Sequence, residues 1–186
     1  MENEQQDYLD PTPILNFDHP TVIEFAEDAL NSIDREPVAM AVAVYYAVRD
    51  GIRYDPYSPF YLPEHYRASS VLERGRGYCV GKAALLCALG RYCRIPSRLG
   101  FATVCNHLAS KQLIAYMGSY RFVYHGYVEF YLNHRWVKAI PAFNIELCDR
   151  YHVDPLEFDG HEDAVFHPYN REDKKYMEYL EDQGTF

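Results

Sequence analysis

The sequence predicts a mixed fold in which one buried helix lies against an antiparallel sheet, and three observations carry that prediction. Val80 to Arg94 follows a cysteine with scarcely a polar residue, a pattern for a helix enclosed by protein. Phe122 to Leu132 alternates side chains with a period of two, as a strand does. Asn133-His134 then offers a two-residue turn into a second alternating run, Arg135 to Ile140.

The elements follow in order. Residues 1–17 read as a polar arm, and its acidic start, Met1 to Asp7, is no secretory leader. Thr21 and Glu24 form a capping box for a helix at 21–33, with Val22, Ala26, Ala29, Leu30 and Ile33 on one face. Pro37 opens a second helix, apolar from Val38 to Val48 and ended by Gly51. Ile52 to Tyr54 suits a short strand, and Asp55 to Pro63 is loop. Ser70 and Glu73 cap one helical turn that stops at Gly75. In the helix after Cys79 only Lys82 and Arg91 require water, and Ile95-Pro96 ends it. Arg98 to Cys105 reads as a strand, whereas residues 107–117 are ambiguous with a helical tendency.

A two-residue turn fixes the hairpin register. Tyr131 opposes Trp136, Glu129 opposes Lys138, and Tyr127 opposes Ile140; the charge match at 129 and 138 supports it. Phe122, Tyr124, Gly126, Val128, Phe130 and Leu132 share one face. Val123, His125, Tyr127, Glu129 and Tyr131 share the other. Beyond Pro141 the chain is irregular, with an acidic loop at 156–163 and a charged helix expected at 171–183. No repeat or linker divides the 186 residues, which suit a single domain with a core at about 35–145, an N-terminal arm and helix (1–34) and an extension (146–186).

Composition narrows the function classes. Net charge is −9 with no basic cluster, which argues against nucleic acid and anionic membrane as partners. No run approaches the roughly 20 apolar residues of a membrane span. Five cysteines without CxxC spacing fit free thiols in a reducing, cytoplasmic setting.

Within these limits, Arg74-Gly-Arg-Gly-Tyr-Cys79 puts a thiol at a helix start. There the unpaired N–H groups and the helix dipole favour a thiolate and so a lowered thiol pKa. A cysteine nucleophile needs a base, and the base an orienting group. His125, on the polar strand face beside Gly126, is the base candidate. The competing reading makes Cys79 a small buried hydrophobe and His125 a packed strand residue.

The stretch from Arg76-Gly-Tyr-Cys79 to Ile95-Pro-Ser-Arg98, followed by His125-Gly-Tyr-Val-Glu-Phe-Tyr and Trp136-Val, resembles the transglutaminase-like superfamily over about residues 35–145. The tail from Val153 resembles an extension in an uncharacterised bacterial branch. The resemblance implies a papain-like α+β fold, its central helix carrying Cys79 at the N-terminus against a sheet carrying His125. It implies a Cys79–His125 pair acting on acyl groups, amides above all, by hydrolysis or transamidation without metal or organic cofactor. Protein or peptide substrates follow, and the oxyanion would meet the Cys79 backbone N–H.

The chain departs from that family at Ile140, where Asp is expected after the Trp-Val strand. In the extrapolated register Ala142 faces His125, with Ile140 and Asn144 as its diagonal neighbours. Asn144 is therefore the candidate orienting residue, with Asp149, Asp154 and Asp159 as alternatives. Tyr54, Arg76, Tyr78 and Tyr127 are candidate cleft residues. Asp159, His161, Glu162, Asp163 and His167 read as a solvated loop rather than a metal centre. The missing aspartate also leaves room for a non-catalytic binding module, and Arg-Gly-Tyr-Cys prompts a third reading, an arylamine acetyltransferase-like acyl carrier, disfavoured by the short chain.

Overall fold

The computed structural model describes residues 5–186, so the first four residues of the expected arm lie outside the described part. Helix α1 (Pro20–Ala29) begins two residues earlier than a cap at Thr21 predicts. Pro20 takes a first-turn position and His19, not Thr21, is the cap, its Nδ1 accepting the Thr21 N–H at 3.3 Å. The helix also stops short of Ile33: it ends at Ala29 with Leu30 as its C-cap, and Ser32 beyond it has a positive φ of 64°.

Helix α2 (Pro37–Gly51) buries Met40, Ala41, Val44, Tyr45 and Val48. A two-residue strand, β1 (Arg53–Tyr54), pairs in parallel with β2 (Arg76–Gly77). Between them lies α3 (Ala68–Arg74), ended by Gly75 in the left-handed conformation. β2 thereby delivers the chain into Tyr78, the N-cap of α4 (Cys79–Tyr92).

Helix α4 is the centre of the molecule. Its Leu85, Leu86 and Leu89 are completely buried, each worth roughly 1.5–3 kcal/mol of apolar transfer. Lys82 and Arg91 do not reach water as expected. Lys82 is fully buried and donates from Nζ to the Arg49 and Ile52 carbonyls at 2.8 and 2.6 Å, capping the open end of α2. Arg91 donates to the carbonyls of Ser97 and Asp10. A long cationic side chain can be buried when orphan carbonyls stand at the right depth.

Four antiparallel strands form the sheet in the order β5-β4-β3-β6. They are β3 (Ser97–Asn106), β4 (Arg121–Leu132), β5 (Arg135–Ala139) and β6 (Met177–Thr185). A short helix, α5 (Lys111–Met117), resolves the ambiguous stretch before β4. In the hairpin Glu129 opposes Lys138 and Tyr131 opposes Trp136 as predicted. Asn133 and His134 both have positive φ (49° and 65°), the conformation a type I′ turn demands. The nearer partner of Glu129 is Arg98 of β3, 2.6 Å away, whose guanidinium also lies 4.0 Å over the Trp136 ring.

The pairing of β4 with β5 ends at Val128 and Ala139. Ile140 instead donates its N–H to the Ala164 carbonyl, so the extension takes up the edge that Tyr127 and Ile140 were expected to share. The chain then forms α6 (Ile145–Tyr151) and crosses to β6. The charged helix expected at 171–183 is a strand from Met177 on, an edge strand whose exposed side chains lack the alternation that would have marked it. Tyr45 and Arg49 of α2 hold the extension by donating to the Leu156 carbonyl at 2.9 and 2.8 Å.

Candidate active site

Two irregularities place the candidate residues. The register of β3 against β4 slips between Ala102 and Val104, which face His125 and Phe122. β4 therefore carries one extra residue there, a β-bulge, with Tyr124 at φ 58°. The bulge reverses the alternation expected below His125. Phe122 joins His125 on one face, and Val123 and Tyr124 both turn to solvent. The second irregularity is Gly126. A Cβ there would lie 2.9 Å from the Val80 Cα, so only glycine lets the start of α4 lie directly on β4.

That contact sets the residue after His125 against the residue after Cys79. The backbone N–H groups of Gly126, Val80 and Cys79 itself lie toward the Cys79 sulfur. These donors favour a thiolate, as the helix start predicts, but burial outweighs them and pushes the thiol up to about 11. Burial likewise pushes His125 down to about 4. At neutral pH the thiol and the imidazole are both uncharged, and the lowered thiol pKa expected from the helix start gives way to a raised one. Cys87, Cys93 and Cys148 are also pushed up by burial, so what distinguishes Cys79 is its ring of N–H donors.

His125 is 5 % exposed, and its Nε2 has no hydrogen-bond partner among the described residues. Its ring meets Phe166 edge-on, with centroids 5.2 Å apart. Phe143 and Tyr176 stack around that same Phe166. No periodicity pointed to Phe143 or Phe166, which come from loops.

Asn144 does not stand where the extrapolated register put it. β5 has ended by then, and Asn144 is the N-cap of α6. Its Oδ1 accepts the Tyr54 N–H at 3.2 Å and its amide contacts Glu146, so it braces β1 and makes no bond to the imidazole. Asp149 and Asp154 bind Arg171, and Asp159 accepts the N–H groups of His161 and Glu162; none of the three orients His125.

Cys79 and His125 both line a largely apolar cavity of about 1170 Å³, walled in part by Tyr54, Tyr78, Phe101 and Tyr124. His125 and Tyr54 also line a neighbouring cavity of about 640 Å³ that contains Asn144 and Arg76. Arg76 is thus at the rim of the second cavity, paired with Asp55 at 3.8 Å. Tyr127 lines neither. It is 3 % exposed, with Lys138 over its ring, and fills the space above Gly100, where any Cβ would lie 2.1 Å from it.

A thiol at the start of a buried helix packed on an antiparallel sheet that carries a histidine on the same cavity wall is the layout of a papain- and transglutaminase-like fold. The chain belongs to the transglutaminase-like superfamily, which matches residues 24–141. Its whole length superimposes on the crystal structure of the "Putative Cysteine Protease from Cytophaga hutchinsonii" with a TM-score of 0.58 at 14 % identity. The chain spans 55 % of that protein. No curated protein matches it by sequence. Among the described residues no helix is long and apolar enough to cross a membrane.

Proposed function

We propose that the protein is a cysteine-dependent acyl-transfer enzyme acting on amide bonds of protein or peptide substrates. The observation that supports this reading is the close approach of Gly126 to Val80, which packs the residue after His125 on the residue after Cys79, with both Cys79 and His125 lining one cavity. The neutral imidazole takes the thiol proton as sulfur attacks the carbonyl carbon. The oxyanion is met by the N–H of Cys79 with Val80 or Gly126 as second donor. His125 then returns the proton to the leaving amine, and water or a second amine resolves the thioester. A neutral pair suits this general-base route, since the proton moves only when the attack begins. No step draws on a metal or organic cofactor. Asn144 acts at one remove, by holding β1 and Tyr54 at the wall of the cavity.

An aryl ester of a blocked amino acid supplies an acyl group without demanding a particular peptide. Wild type should release one equivalent of phenol in a burst and carry the acyl group on Cys79; Cys79→Ala should show neither. Added amine should then divide the thioester between hydrolysis and transfer. A full-length, folded protein that gives no burst favours the binding-module reading.

A further inference from the structure

A second group of reactive side chains stands at the far end of β3, away from the cavity of Cys79. Cys105 and Glu178 are register partners on β3 and β6. His107 follows Cys105 by two residues, and its N–H donates to the Tyr176 carbonyl at 2.9 Å, extending the same ladder. Residues two apart on a strand share a face, as do directly opposed ones on neighbouring strands. One thiol, one imidazole and one carboxylate thus converge, with their ligand atoms within 4.8 Å of one another.

The polar contacts are specific. His107 Nε2 lies 3.1 Å from Glu178 Oε2, and Lys175 Nζ approaches the same oxygen at 2.8 Å. The other Glu178 oxygen keeps its lone pairs. An ion-pair network accounts for His107, Glu178 and Lys175 but gives no part to Cys105.

We propose that Cys105, His107 and Glu178 bind a zinc-class divalent ion that clips β6 of the extension onto β3. The donor set of sulfur, nitrogen and oxygen suits a borderline ion and not calcium or magnesium, which take oxygen alone. Three protein ligands leave a fourth tetrahedral position for water. With bonds of about 2.0–2.3 Å the ligand atoms around such an ion stand roughly 3.3–3.8 Å apart, so the side chains close by about 1 Å. Side-chain exposures of 33 % at His107 and 40 % at Glu178 allow that movement. On binding, the Cys105 thiol releases its proton to solvent as the metal–sulfur bond forms. Lys175, and Arg121 opposite Cys105 on β4, oppose the cation and moderate its affinity.

The probe is Co²⁺ added to protein freed of metal with chelator and desalted. One equivalent should produce a sulfur-to-cobalt charge-transfer band that Zn²⁺ abolishes by displacement. Cys105→Ser should remove the band, and His107→Ala and Glu178→Gln should each weaken binding about tenfold or more. Zn²⁺ should also slow iodoacetamide alkylation of Cys105, located by peptide mass, by about tenfold or more in the wild-type fold. No band, a band unchanged in Cys105→Ser, or alkylation of Cys105 at the same rate with zinc overturns the site.

Discussion

The two ends of β4 share one strand and one sequence style, yet they behave differently. From Val128 to Leu132 the strand pairs with β5 residue for residue and closes in a two-residue turn. From Arg121 to Tyr127 it bulges, loses β5, and leaves Tyr124 at a positive φ. The regular end builds the wall on which α4 packs. The irregular end carries Gly126, on which the start of α4 packs, and its His125 lines the same cavity as Cys79. Chemistry gathers where the ladder breaks, because there a side chain can be aimed out of the alternation.

Changes at the irregular end should be the costlier ones. The largest effect concerns His125. Its folded pKa of about 4 lies below the ordinary 6.5, so between these values the unfolded chain binds more protons than the folded one. Stability from this group is complete above pH 6.5 and is lost as pH falls toward 4, by about 3 kcal/mol. Urea denaturation at pH 7.5 and 4.5 should show a smaller acid loss in His125→Gln; an equal loss would mean the imidazole is not buried neutral. Next comes Gly126→Ala. Its new Cβ meets the Val80 backbone, and the overlap should cost about 1–3 kcal/mol and slow Cys79 acylation at least tenfold. Normal stability and normal acylation together would show that the close approach is not needed.

The regular end should respond mildly, and in one case favourably. His134 occupies the second position of a turn with φ 65°, where glycine is unstrained. His134→Gly should raise the thermal midpoint, with a gain of roughly 0.5–1 kcal/mol. A lower midpoint would show that the His134 side chain has a role beyond the turn.

The same contrast explains what was legible in the sequence. The hairpin register from Glu129–Lys138 to the turn, the buried helix behind Cys79 and the glycine stop at Gly75 follow from patterns spanning a few residues, and these stand. Local periodicity could not reveal the bulge at Tyr124, because its cause is a count mismatch with β3, not a feature of β4. Extending the hairpin register past Pro141 sent Asn144 to His125, when β5 had ended at Ala139 and the chain was turning into α6. The exposure to water expected of Lys82 failed for a related reason: the carbonyls that receive it belong to α2 and the turn after it, 33 and 30 residues away. The helix start did predict N–H donors around the sulfur. It could not predict that Phe166, from the far end of the chain, shares the burial that keeps His125 neutral.

The central claim is that Cys79 and His125 act as one nucleophile–base pair. It is tested most directly by the single-turnover rate of Cys79 acylation from the aryl ester at neutral pH, in wild type and His125→Ala. The account predicts acyl transfer to Cys79 and to no other thiol, slowed about 10²–10⁴-fold in the variant. Equal rates in the two proteins, or an acyl group found on Cys105 instead, would contradict it.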